Sequence, residues 1–481
     1  MQGRSDVNLT TEARPVDRLR FYRAVWRWHF YAGLFVLPLI AWLALTGAVY
    51  LYQKPIDRWV HHDLKVAIAT ASPRALPSAN IAAVEAAAPG HAFRYTTPER
   101  ADGSIEIGVL AADGRRTVYY VNPWSSRILG QLPEKGTFSG IVRRLHSLDL
   151  LGDYASALIE IAAGWAILLV LTGIYLWWPR GQQGGVTSVR GRPRQRLFWR
   201  DLHAVTGVWV GLVLLFLCIT GMPWSVVWGK QVNAWANGHN DGYPAGVRVN
   251  LPMSQQRLAD TTTPTWSMQQ AQLPTSQVPP HAAPPQHDGH QGHDGPGTAA
   301  LAKLSPQPGA IGIDAAMQHF AAAGLAPGYS VSLPQGRMGV YTASVYPEAL
   351  DQQRVMHLDQ YSGKVLLDMG YHDYGPLGRG LEWGINVHLG QEYGTANRLF
   401  FVVACAGIVL LCVSGAVMWW KRRPLGGLGV PPLPRQGRSV LAVFALLCIG
   451  GVLFPLVGLS LLMVGALDFL ATQGWRRQVG S

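Results

Sequence analysis

The sequence predicts an integral membrane α-helical bundle, four core helices plus a fifth, with two α+β domains outside the membrane and an internal duplication. Three observations predict it. Five apolar stretches reach the roughly 20 residues that span a bilayer. Two long segments between them carry strand-and-turn text. The spacing of His, Gly, Thr and Trp recurs between the two halves. Composition agrees: 49% of the 481 residues are hydrophobic and 14% charged, where a soluble domain carries about 25% charged residues. The net charge of +12 comes from Lys and Arg clustered beside apolar runs, which points to membrane lipid and not to nucleic acid. Cys218, Cys405, Cys412 and Cys448 all lie in apolar runs without a CxxC, so neither a disulfide framework nor a thiolate metal site is expected.

In chain order, residues 1–28 are polar and Arg-rich, and no cleavable signal peptide is evident, because the next run is long enough to span. The spans follow at 29–52, 155–178 (in an outer ligand segment and helix, 146–178), 203–228, 398–420 (in 388–420) and 440–467, before a tail at 468–481. Pro455 predicts a kink in the fifth. The N-terminus and the loops 179–202 and 421–439 are rich in Arg and Lys, which makes their common side cytoplasmic. Arg476 and Arg477 run against a fifth full crossing and would suit a re-entrant segment.

The outer segments are 53–145 and 229–387. "RTVYYVNPWSSRILG" (116–130) and "QRVMHLDQYSGKVLLD" (353–368) each read as strand, turn, strand, so each segment is expected to form a small α+β domain. The stretch at about 260–310, rich in Pro, Gln, Gly and His, is expected to be a disordered insertion.

The repeat concerns four histidines. His29 is followed by Gly33 and Thr46-Gly47, His203 by Gly207 and Thr220-Gly221, at equal offsets. His146 precedes Gly173 and Trp177-Trp178 as His388 precedes Gly415 and Trp419-Trp420. Topology pairs His29 with His203 at the cytoplasmic end and His146 with His388 at the outer end. Two imidazoles from facing helices suit the axial positions of a b-type haem, and Gly33 and Gly207, one turn along the same face, would give a flat ring room. The residues alone leave haem ligation and a duplicated structural histidine both open. Arg143, Arg144 and Arg398 read equally as propionate partners or interfacial anchors. His281, His287, His290 and His293 read as a metal-capture loop or, more simply, a solvated linker. No dinucleotide or phosphate-binding fingerprint is visible, so electrons would come from a quinol or a cytoplasmic reductase.

"WRWHFYAG", "RRLHSLDLLGDYA", "RDLHAVTG" and "INVHLGQEYGTANRL", with the hairpins "VNPWSSRILG" and "LDQYSGKVLLD", resemble in order the PepSY-associated transmembrane proteins over most of residues 20–425. The resemblance implies PepSY-like outer domains, two haem b groups held by His29, His146, His203 and His388, and a place in the bacterial inner membrane with the large loops periplasmic. It further implies an oxidoreductase that reduces a periplasmic acceptor, a ferric siderophore or another metal complex. The alternatives are a haem-free, membrane-anchored binding module and a metal-uptake accessory.

Overall fold

A computed structural model describes residues 15–180, 185–243, 251–280, 304–425, 427, 429–431, 445 and 447–466. The helices are α1 (Pro15–Tyr50), α2 (Gln53–Val60), α3 (His62–Lys65), α4 (Pro77–Ala87), α5 (Phe138–His146), α6 (Asp153–Trp177), α7 (Arg196–Gly221), α8 (Trp228–Gly238), α9 (Leu258–Thr261), α10 (Gly312–Ala322), α11 (Pro376–His388), α12 (Gly394–Trp420) and α13 (Pro455–Ala466). The strands are β1 (His91–Thr96), β2 (Ile105–Leu110), β3 (Arg116–Val121), β4 (Ile128–Pro133), β5 (Met253–Arg257), β6 (Gln272–Pro274), β7 (Ser330–Ser332), β8 (Val340–Val345), β9 (Arg354–Asp359) and β10 (Val365–Gly370). The described residues fall into two compact units. One draws on Met1–Gly47, Leu151–Trp228 and Val402–Ser481, the other on Ala48–Leu150 and Gly229–Phe401.

The first unit is a helical bundle. Among the described residues, four helical stretches are long and apolar enough to cross a membrane: Phe21–Tyr50, Asp153–Trp177, Arg196–Trp224 and Gly394–Trp420. The 27-residue α12 alone rises about 40 Å, more than the roughly 30 Å hydrocarbon core. Small residues set the crossings. A Cβ on Gly407 of α12 would lie 2.7 Å from Val210 Cγ2 of α7, and one on Gly211 of α7 would meet Val170 of α6 at 3.5 Å. Two sequence expectations change here. The apolar runs predict His29 and His203 at the starts of their helices, yet α1 starts at Pro15 and α7 at Arg196. The Arg-rich stretches before the apolar runs contain good helix formers and simply continue the helix, so both histidines lie well inside.

The second change is the fifth segment, expected as one span over 440–467. Among its described residues the helix breaks at Phe454, before Pro455, which lacks the N–H a continuous helix needs. A Cβ on Gly451 would stand 2.7 Å from the Cα of Gly458, seven residues on. A straight helix would separate these positions by about 10 Å, so the chain folds back on itself. The folded segment packs on α6: Val457 fills the space beside Gly164, and Trp165 Nε1 donates to Ser460 Oγ at 2.9 Å.

The second unit is built on an eight-stranded antiparallel sheet ordered β10-β9-β8-β7-β1-β2-β3-β4. The two expected α+β domains are therefore one sheet. The first strand of each half, β1 and β7, pair antiparallel with Tyr95 opposite Val331, which leaves neither strand with an open edge. Both expected hairpins form, β3–β4 and β9–β10. Their turns match: Asn122 Oδ1 accepts the N–H groups of Trp124 and Ser125, and Asp359 Oδ1 those of Tyr361 and Ser362. Helices α4 and α10 share a core with one face, where Ile81 and Met317 pack between the β1–β3 and β7–β9 clusters.

The other face of the β7–β10 half is covered by residues 251–280, of which those from about 260 on were expected to be disordered. Residues 251–280 form the β5–β6 ribbon, and Leu258, Met268 and Leu273 pack with Val340, Val355 and Tyr374. Trp266 is fully buried against Ile385. A few well-spaced apolar residues in a polar, Pro-rich stretch suffice when a sheet face awaits them. The rest of the predicted insertion that includes the histidine cluster, 281–303, lies outside the described residues.

We expect Gly451→Ala to destabilise the protein by about 1–3 kcal/mol, because backbone stands where the methyl would go. Gly380→Ala, on an open and exposed face of α11, should instead stabilise by up to about 1 kcal/mol. Thermal unfolding in detergent distinguishes the two signs.

Candidate functional site

In the bundle, His29 on α1 and His203 on α7 each face a hydroxyl on a neighbouring helix. His29 Nδ1 lies 2.9 Å from Thr172 Oγ1 of α6. His203 Nδ1 lies 3.2 Å from Ser414 Oγ of α12 and 3.1 Å from the Leu411 carbonyl oxygen. Both hydroxyls commit their own proton to their own helix, Thr172 to Leu168 O at 2.7 Å and Ser414 to Leu411 O at 2.9 Å. Each hydroxyl oxygen is therefore the acceptor and each histidine the donor, which assigns the proton to Nδ1 and leaves the lone pair on Nε2. The residue after each hydroxyl is glycine, and a Cβ on Gly173 or Gly415 would press to 3.3 Å from Cε1 of His29 or His203. The bundle thus places two imidazoles, one from each half, in matching settings.

The other two histidines, both in the second unit, terminate helices: His146 is the last residue of α5 and His388 the last of α11. Helix α5 is started by Thr137, whose Oγ1 accepts from Gly140 N, and by Asp57 of α2, which accepts the Ser139 N–H at 2.8 Å. The end of α11 is held by Asn397 Nδ2, which donates to the Val387 carbonyl at 3.1 Å, and by Asn386 Nδ2, which donates to Glu392 Oε2 and to Glu348 O. Two residues past each histidine the backbone turns left-handed, at Leu148 (φ 55°) and Gly390 (φ 70°). Glycine takes this conformation freely, whereas leucine costs on the order of 1 kcal/mol. Enclosure, and next the neighbouring His146, push the His388 imidazole down to about 3. It is therefore neutral at physiological pH, the form that binds iron.

The other expected residues divide. A Cβ on Gly33 or Gly207 would meet only a leucine, Leu169 at 3.9 Å and Leu411 at 3.4 Å. The glycines against the rings are Gly173 and Gly415, read from sequence only as markers of the repeat. Thr172 was missed, although Thr172-Gly173 and Ser414-Gly415 stand at one offset from His146 and His388. Asp201, two residues before His203, is also new: it is buried and held by Arg190 Nε at 2.8 Å and by Arg200 at 2.7 Å. Arg398 is engaged with Glu348 at 2.8 Å and Arg144 with Asp149 at 3.2 Å. His281, His287, His290 and His293 lie outside the described residues. Among the described residues no three His, Cys, Asp or Glu side chains gather as a multi-ligand metal site requires, whereas axial haem ligation requires two.

Four apolar helices in a bundle, together with a β-rich second unit, define a multi-pass membrane protein. The chain belongs to the family described as PepSY-associated TM region, whose family model matches residues 26–422. No curated protein matches it.

Helix α11 carries one buried acid. Glu382 accepts the Ser267 N–H at 2.7 Å, and burial pushes its carboxyl up to about 7. The folded state therefore prefers the neutral acid. Its contribution to stability is complete below pH 4.5 and is lost as pH rises through 7, because the unfolded chain ionises first. We expect Glu382→Gln, which stays neutral, to raise stability relative to the parent by roughly 3 kcal/mol at pH 8 and to bring little gain at pH 4.5. Thermal unfolding at the two pH values checks this.

Proposed function

We propose that this protein is a di-haem electron-transfer protein of the bacterial inner membrane, with its large outer segments in the periplasm and the two halves related by duplication. His29 and His203 would hold one haem b and His146 and His388 the other. The observation that carries the reading is the recurrence in the bundle. In each half a histidine meets a hydroxyl from the next helix, with glycine beside it, and presents Nε2. A structural histidine needs a hydrogen bond, but it does not need, in both halves, a glycine at the spot where a Cβ would press on its ring. The equal element order of the two halves of the sheet, a helix then four strands, supports the duplication.

When bound, the two haems supply one-electron transfer. The chain's own part is to hold His29 and His203 in fixed orientation among apolar helices and to carry His146 and His388 at the ends of two short helices. One-electron reduction needs no acid–base residue, only a close approach of donor and acceptor. The reading extends to an acceptor outside the membrane, most simply a ferric siderophore, with a quinol or a cytoplasmic reductase as donor.

Protein purified in detergent after growth with ample haem should contain two b-type haems per chain, with a bis-histidine spectrum after dithionite reduction. His29→Ala and His203→Ala should each remove the same haem and spare the other. Protein that carries no haem under these conditions would sink the proposal, and loss of different haems from the two variants would break the pairing.

A further inference from the structure

Thr172 and Ser414 satisfy their own donor needs inside their own helices, as hydroxyls in membrane helices usually do. That bond explains why a hydroxyl is tolerated there. It does not explain why both oxygens also sit within hydrogen-bond reach of an imidazole on another helix, at equivalent places in the two halves. Nor does it explain the glycine that follows each, where a methyl would press on the ring.

Resting on the haem reading above, we propose that Thr172 and Ser414 are positioning residues that lock His29 and His203 as Nδ1–H tautomers and set how strongly each Nε2 donates to a bound iron. The physics is that of an oriented imidazole. An acceptor at Nδ1–H fixes the ring's rotation and raises the basicity of the opposite nitrogen. A more basic ligand favours ferric over ferrous iron and lowers the midpoint potential, so loss of the acceptor raises it. The hydroxyl and the glycine act together: one pins the ring at Nδ1, the other leaves Cε1 room to sit in the pinned orientation.

The two sides are not equal, and this makes the inference specific. At His29 the acceptor is Thr172 Oγ1 at 2.9 Å. At His203 two acceptors share the proton, the Leu411 carbonyl at 3.1 Å and Ser414 Oγ at 3.2 Å. Ser414→Ala leaves the carbonyl in place, whereas Thr172→Val keeps the side-chain shape and removes the acceptor on its side. The threonine change should therefore have the larger effect.

The test is a spectroelectrochemical titration of the full-length protein in detergent, with haem content and the ferric low-spin EPR spectrum recorded for each variant. We expect Thr172→Val to raise the midpoint potential of one haem, to shift its EPR signal, and to weaken its retention by about 10- to 100-fold. Ser414→Ala should move the same haem in the same direction by less, and Thr172→Ser should restore the parent values. Two haems at unchanged potential and with unchanged EPR in both Thr172→Val and Ser414→Ala would overturn the positioning role while leaving the haem reading intact. A shift that Thr172→Ser fails to reverse would also overturn it. Parent protein without haem would overturn the haem reading, and this inference with it.

Discussion

A histidine between apolar helices is stable only where its ring nitrogens find partners, because an unsatisfied polar group in that setting costs several kcal/mol. The Nδ1 contacts of His29 and His203 meet this constraint for the protonated nitrogen of each ring, and much of the bundle follows from it. A donor on α1 must find an acceptor on α6, and one on α7 an acceptor on α12. The helices must then approach closely at those levels, which requires small residues there. Thr172-Gly173 and Ser414-Gly415 supply the acceptor and the close approach in adjacent residues. Substituting a larger apolar side chain for either glycine would set packing against polar satisfaction.

The second unit meets a different constraint, the exposed edges of its strands. Each half offers a four-stranded sheet whose first strand would otherwise be open. Pairing β1 with β7 closes both edges at once and places the two hairpins with Asx turns at the far ends of the sheet. The β7–β10 half goes further and is covered on both faces, by α10 on one and by residues 251–280 on the other. This agrees with β8, buried at every residue where a half-exposed strand would alternate.

The features legible in the sequence were local or periodic. Span length, the offsets of the repeat, and the two Asx turns at Asn122 and Asp359 depend on neighbours in the chain. What could not be read depended on partners far away. Trp266 looks like one aromatic in a polar stretch until Ile385 is beside it. Thr172 looks like an ordinary membrane-helix threonine until His29, 143 positions away in the chain, faces it. The merger of two domains into one sheet rests on three residue pairs between β1 and β7, which neither strand's pattern specifies. Pro455 marks the break at Phe454 in the sequence, but the reversal needs Gly451 and Gly458 in contact, a tertiary fact.

The departures between the halves bear on function as much as the likeness does. Two residues before His29 stands Arg27, whose guanidinium donates to the Pro431 carbonyl and to Tyr31. Two residues before His203 stands Asp201, buried between Arg190 and Arg200. The folded segment at 447–466 leans on α6, with Val457 at Gly164 and Leu168 at Gly450. Outside the bundle, Leu148 takes a strained left-handed turn where the other half has Gly390. A duplicated ligand set with identical surroundings would treat its two imidazoles alike. Here the ring nitrogens are oriented by one rule, but His29 has one acceptor at Nδ1 and His203 two, so the two rings of the proposed pair are held by unequal contacts.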